Sequence, residues 1–207
     1  MGKDAYIKQL LVGQMANYCY LVGSKEGNEV IAIDPSWDPK KIIKTAEADG
    51  KTIKHVFLTH THFDHIMALD KFIELNDADI YVHALEAGNL DLDSDIINSL
   101  EEGTTLNLAG LTIKCLHTPG HTAGSTCYLV NDIHLFTGDT LFIDSCGRVD
   151  LPESNPDDMV RSLARLSQMS EGTVVYPGHE YGRYPTSTIG DQRKTNSCFR
   201  WKARDLI

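Results

Sequence analysis

Long apolar runs are absent. No stretch of about 18 uncharged apolar residues, the length a membrane-spanning helix needs, occurs in the 207 residues. The opening Met1-Gly2-Lys3-Asp4-Ala5-Tyr6 has no apolar segment ending in a small-residue cleavage site, so neither secretion nor membrane insertion is expected. It also lacks the Ser or Thr that would make Met1-Gly2 a myristoylation signal. Basic residues are scarce, 19 Lys and Arg against 29 Asp and Glu, for a formal charge of −10. Cations displacing counterions drive binding to phosphate backbones, so nucleic acid is not an expected partner. Anionic membrane surfaces are disfavoured for the same reason. The five cysteines (Cys19, Cys115, Cys127, Cys146, Cys198) are odd in number, scattered, and form no C-x-x-C pair. A disulfide framework or a cysteine-based zinc site is therefore not expected, and a cytoplasmic location is.

What the chain does have is apolar residues, 42% of the total, enough for one sizeable core and a single domain over 1–207. Strand-like runs are read at 7–12, 18–22, 30–33, 53–58 and 80–82, then at 104–108, 111–116, 126–130, 134–136 and 173–176. Helical spacing predicts helices at 39–48, 66–75 and 156–169, the last with Pro156 in its first turn. The acidic stretch 85–102 reads as a solvated helical face, and the chain after Gly182 as a surface wrap with a short helix. Strands and helices in both halves suggest an α/β fold of two packed sheets with helices outside.

The nine histidines are a high share for so few basic residues, and imidazole is a common metal ligand. Four acidic or imidazole groups crowd into Thr59-His60-Thr61-His62-Phe63-Asp64-His65. Residues two apart in extended chain point the same way, so His60, His62 and Asp64 can converge. His65 falls out of that phase unless the chain turns. Three further segments each deliver one ligand-capable residue where a strand ends: Pro119-Gly120-His121, Thr137-Gly138-Asp139 and Pro177-Gly178-His179. Seven such residues at four strand ends suit a binuclear nitrogen and oxygen site, with Asp139 as the natural bridge.

In these motifs and their order, the chain resembles the metallo-β-lactamase-fold hydrolases, most closely the glyoxalase II-like branch. The resemblance implies an αββα sandwich of two mixed sheets. By it, His60, His62 and His121 hold one metal, Asp64, His65 and His179 the other, and Asp139 bridges. Asp34 matches an aspartate beside the metals that can orient a ligand histidine. Zinc is the first expectation for the two divalent ions, with iron or manganese also suited to this ligand set. The implied chemistry is hydrolysis by a metal-bound hydroxide, with Asp64 also aiming the attacking oxygen. Ser125 is then a turn residue and Cys146 part of the pocket wall, not nucleophiles.

Arg148 in Gly147-Arg148-Val149-Asp150, and Tyr181 after His179, resemble residues with which glyoxalase II grips glutathione. They suggest a small acyl-thioester substrate, glutathione-like in its thiol part. Only 28 residues follow His179, so the C-terminal helical domain of glyoxalase II is expected to be absent. Ile66-Met67-Ala68-Leu69 stands where many relatives have a Gly-rich continuation, and is bulkier. His55, His83, His117 and His134 fit no motif and are read as packing residues. Two alternatives stay open: a persulfide dioxygenase with one iron held by two His and one Asp, and a non-enzymatic metal-binding module. Oligomeric state is not legible.

Overall fold

The computed structural model describes residues 4–202. The Met1-Gly2 dipeptide and the two ends of the domain expected over 1–207 lie outside the described residues. Within it run β1 (Ala5–Val12), β2 (Asn17–Ser24), β3 (Glu29–Ile33), α1 (Pro39–Ala48), β4 (Thr52–Phe57), α2 (Phe63–Ile66), α3 (Leu69–Leu75), β5 (Asp79–His83), α4 (Ala84–Ala87) and β6 (Ile97–Leu100). The second half supplies β7 (Thr105–Leu108), β8 (Leu111–His117), β9 (Thr126–Val130), β10 (His134–Gly138), β11 (Leu141–Phe142), β12 (Ser145–Cys146), α5 (Pro156–Leu166), β13 (Val174–Pro177), β14 (Ser187–Thr188) and α6 (Ile189–Thr195).

The first six strands form one mixed sheet in sequence order. Its first two pairings are antiparallel and its last three parallel. The second sheet runs β14-β13-β10-β9-β8-β7, with β10 and β13 parallel and the rest antiparallel. A short ribbon joins β11 to β12. Alternation along β2 shows how the layers stack. Tyr18, Tyr20 and Val22 pack between the sheets against Tyr128, Val130 and Phe136. Cys19 and Leu21 point the other way, into the layer that holds Ile42 and Ala46 of α1 and Phe72 of α3. Met159, Leu163 and Leu166 of α5 and Ile189 of α6 cover the outer face of the second sheet. This is the αββα sandwich expected from the sequence.

Local chemistry starts the helices where they are needed. Asp38 accepts from the Lys41 N–H ahead of α1, and Asn155 accepts from the Asp158 N–H ahead of α5, each followed by proline in the first turn. Phe57, Phe72 and Phe136 are 1% exposed or less. Truncating any of them to alanine would cost about 3–5 kcal/mol, so the loops at the strand ends spring from a rigid frame.

Two expectations need correction. The stretch 85–102 is not one solvated helix: it divides into α4, a 3₁₀ turn at Ser94–Ile96 and β6. The Asp93 carboxylate accepts from the Asp95 N–H and starts that turn, while β-branched Ile97 favours the open edge beside β5. The chain after Gly182 is more than a surface wrap. It adds β14 to the second sheet and buries Gln192 and Asn196, the latter fully.

Candidate metal centre

Loops at one end of the sandwich bring all seven sequence-predicted ligand residues together. His60 and His62 follow β4, Asp64 and His65 lie on α2, His121 sits between β8 and β9, Asp139 follows β10, and His179 follows β13. Strand alternation stops at His62. The chain turns into α2 at Phe63, which carries His65 back into the cluster rather than away from it.

Hydrogen bonding on the outer nitrogen of each ring assigns which nitrogen is bare on the inner side. The Nδ1–H of His121 donates to the Arg148 carbonyl at 2.9 Å, leaving Nε2 bare. His62 Nε2 lies 2.6 Å from the Glu153 carboxylate, leaving its Nδ1 bare. The Thr59 hydroxyl donates to Asp34 at 2.7 Å, so it accepts from His60 Nδ1 at 3.1 Å. His60 Nε2, buried, has no hydrogen-bond partner at all. The three bare nitrogens lie within 4.8 Å of one another. Lone pairs so close repel unless a cation or proton sits among them, and this donor set fits a divalent metal.

A second group forms alongside. Asp64, His65 and His179 also offer atoms within 4.8 Å of one another. His179 Nδ1 donates to the Met15 carbonyl at 2.9 Å, which turns its Nε2 inward. His65 Nδ1 donates to Asp34 at 3.0 Å, and Asn17 donates to Asp64 at 2.8 Å. Asp139 stands between the groups. Its Oδ2 is 3.5 Å from His121 Nε2 and 3.3 Å from His179 Nε2, while its Oδ1 makes no hydrogen bond, although His65 Nε2 lies 3.3 Å away. That orphaned buried oxygen also fits a metal.

Protonation follows position. Burial and the neighbouring His65 push His60 well below the ordinary histidine range. Burial opposes charge on His65 too, but Asp139 and Asp34 outweigh it and hold His65 well above that range. Burial likewise opposes charge on His179, yet Asp139 and Asp64 raise it to about 9. Asp64, against the same penalty, is held down to about 2 by His179, His65 and Asn17. Burial resists ionisation of Asp139, and the surrounding histidines overcome it and keep its carboxyl well below the usual range.

Asp34 lies where the sequence expects an orienting residue. It adopts a positive φ of 48°, and its carboxylate accepts from the Thr59 N–H, the Thr59 hydroxyl and His65 Nδ1. Gly147 has a packing reason: a Cβ there would run into the Asp139 carbonyl. Tyr181 stacks on the His179 ring, with centroids 4.6 Å apart, and its hydroxyl donates to the Met15 carbonyl at 3.2 Å. Arg148 reaches the same pocket, but its fork is engaged by Asp150 at 2.6 and 2.7 Å. The pocket has a volume of about 520 Å³, and Met15, Phe63, Phe142, Leu151 and Tyr181 form an apolar wall beside the metal ligands. Cys146 is part of the lining, and the Ser125 hydroxyl accepts from the Thr122 N–H within its turn. Sequence reasoning missed Asn17, Thr59, Glu86 and Glu153. None stands in a ligand-spacing pattern, and Glu86 is hidden among the acids of 85–102.

Comparison with known proteins agrees with this fold. Residues 12–179 match the Metallo-beta-lactamase superfamily. The chain is 34% identical to the probable polyketide biosynthesis zinc-dependent hydrolase BaeB of Bacillus velezensis, over 92% of this chain and 84% of that protein. It is 38% identical to a hydroxyacylglutathione hydrolase of Dictyostelium discoideum over 80% of this chain, spanning 62% of that protein's length. The crystal structure of ETHE1 from Myxococcus xanthus superimposes with a TM-score of 0.86 at 28% identity, covering 98% of this chain and 88% of that one. Matched along most of its length and sharing the fold, the chain belongs to the metallo-beta-lactamase superfamily.

Proposed function

We propose that this chain is a hydrolase that holds two divalent ions, zinc first, and cleaves a small acyl thioester. His60, His62 and His121 hold one ion, Asp64, His65 and His179 hold the other, and Asp139 spans both. The observation that carries this reading is the inward convergence of ligand-capable atoms from two adjacent groups, with Asp139 in reach of both. When bound, such ions lower the pKa of a water and draw electron density from a carbonyl, so no side-chain nucleophile is required. Asp64 stays ionised near neutral pH, fixed by Asn17, and accepts a hydrogen bond from the attacking water. The apolar wall excludes solvent and seats the acyl or thiol chain.

Two relatives are named as hydrolases, one of hydroxyacylglutathione and one zinc-dependent, which supports the reaction class. Arg148 and Tyr181 lie beside the site as substrate contacts, Tyr181 through its exposed ring face. Asp150 already holds the Nε and Nη2 donors of Arg148, so a substrate carboxylate would have to compete for that fork. We therefore favour thioesters whose affinity comes from apolar contact over those anchored by glutathione's carboxylates. The test is thiol release from short acyl thioesters by the zinc-loaded chain. Metal-dependent turnover supports the reading. No thiol release with zinc, iron or manganese, together with oxygen uptake on glutathione persulfide, would replace it with a dioxygenase.

A further inference from the structure

We infer that Glu86 is a positioning residue that clamps together the two loops supplying the three-histidine ligand group. The inference rests on the ligand grouping proposed above. Glu86 is 3% exposed and reaches from α4 into the gap between these loops. One carboxylate oxygen accepts from the Thr61 N–H at 3.1 Å and from the Thr61 hydroxyl. The other accepts from the Thr122 hydroxyl at 2.6 Å and the Gly124 N–H at 3.0 Å. Thr61 separates His60 from His62, and Thr122 directly follows His121. A single buried carboxylate therefore ties together loops whose facing histidines, His62 and His121, are 59 positions apart in sequence.

The chemistry needs a carboxylate. Both oxygens accept, and all four of these donors are uncharged. An amide would turn its NH₂ toward the backbone N–H of Thr61 or of Gly124 and leave that donor without an acceptor, even if the hydroxyl beside it turned to accept. Gly124 belongs to the same device: a Cβ there would stand 2.5 Å from Glu86 Cγ. Without the clamp, the bare His62 and His121 nitrogens, 2.8 Å apart, can separate. The Asp64, His65 and His179 group takes no support from Glu86; Asp34, Asn17 and Met15 hold it instead.

The experiment is zinc affinity by chelator competition, with ion count per chain, on the full chain and on Glu86→Gln, Thr61→Val and Thr122→Val. The expected result is that Glu86→Gln weakens one ion by about 10- to 100-fold, the range for partners behind a metal ligand, and leaves the other near its wild-type affinity. Thr61→Val and Thr122→Val, which remove one donor each, should weaken the same ion by less, and they decide the matter if Glu86→Gln does not fold. Variants matching the wild type at every ion it binds overturn the inference, whatever that number is. Equal weakening of both ions also overturns it, because that is the mark of a general structural role. A wild-type chain that binds one ion contradicts the proposed function instead.

Discussion

His62 Nδ1 faces His121 Nε2 across 2.8 Å, while the opposite nitrogen of each ring is held by an oxygen, Glu153 for His62 and the Arg148 carbonyl for His121. Two imidazoles fixed this way present lone pairs to one point. A protein gains nothing from that repulsion unless a cation occupies the point, so the arrangement is built for binding rather than packing.

His60→Ala and His121→Ala are each expected to lose metal and thioesterase activity together, since both feed the same point. Metal analysis of the purified variants beside their rates checks this. Full metal content at the wild-type rate in either variant would overturn the grouping.

Asp139→Ala should lower occupancy of both ions, because one carboxylate reaches His121 on one side and His179 on the other at 3.5 and 3.3 Å. The check is ions per chain after dialysis against buffered zinc. Loss of one ion with the second retained at full affinity would count against bridging.

For the metal-free chain, the pH dependence follows from two shifts. His179 is raised from 6.5 to about 9, so its contribution to stability is complete below pH 6.5 and is lost as pH rises through 9. Asp64 is lowered from 3.8 to about 2, so its contribution is present above pH 3.8 and is lost as pH falls through 2. Urea unfolding of chelator-treated protein should show stability falling between about pH 6.5 and 9. Zinc affinity should rise over the same interval, as the ion displaces the His179 proton. A metal-free stability that climbs across that interval would contradict the assigned ion pairs.

Arg148→Ala is expected to change KM little, since an exposed arginine already paired with Asp150 has little to give up. Comparing a carboxylate-bearing thioester with a neutral one of equal acyl group checks this. A tenfold or larger selective loss on the charged substrate would show that the fork leaves Asp150 for the ligand.

The fold and the ligand residues were legible for different reasons. Alternation along β2 and the period of α5 announce themselves because each buries one face against a layer. The seven ligands stand out because histidines and aspartates gather where strands end. Glu86 was not legible: among the acids of 85–102 nothing in the sequence separates the one carboxylate turned inward to Thr61 and Thr122 from those in solvent. The pairing of Arg148 with Asp150 escapes for a related reason. An arginine two residues from an aspartate reads the same whether its fork serves a substrate or its neighbour.

The most direct test of the two-ion site is to titrate the metal-free chain with zinc while following thiol release from an acyl thioester. Two ions should bind per chain, with the rate reaching its maximum only as the second is taken up. Saturation at one ion with the full hydrolytic rate would contradict the binuclear reading.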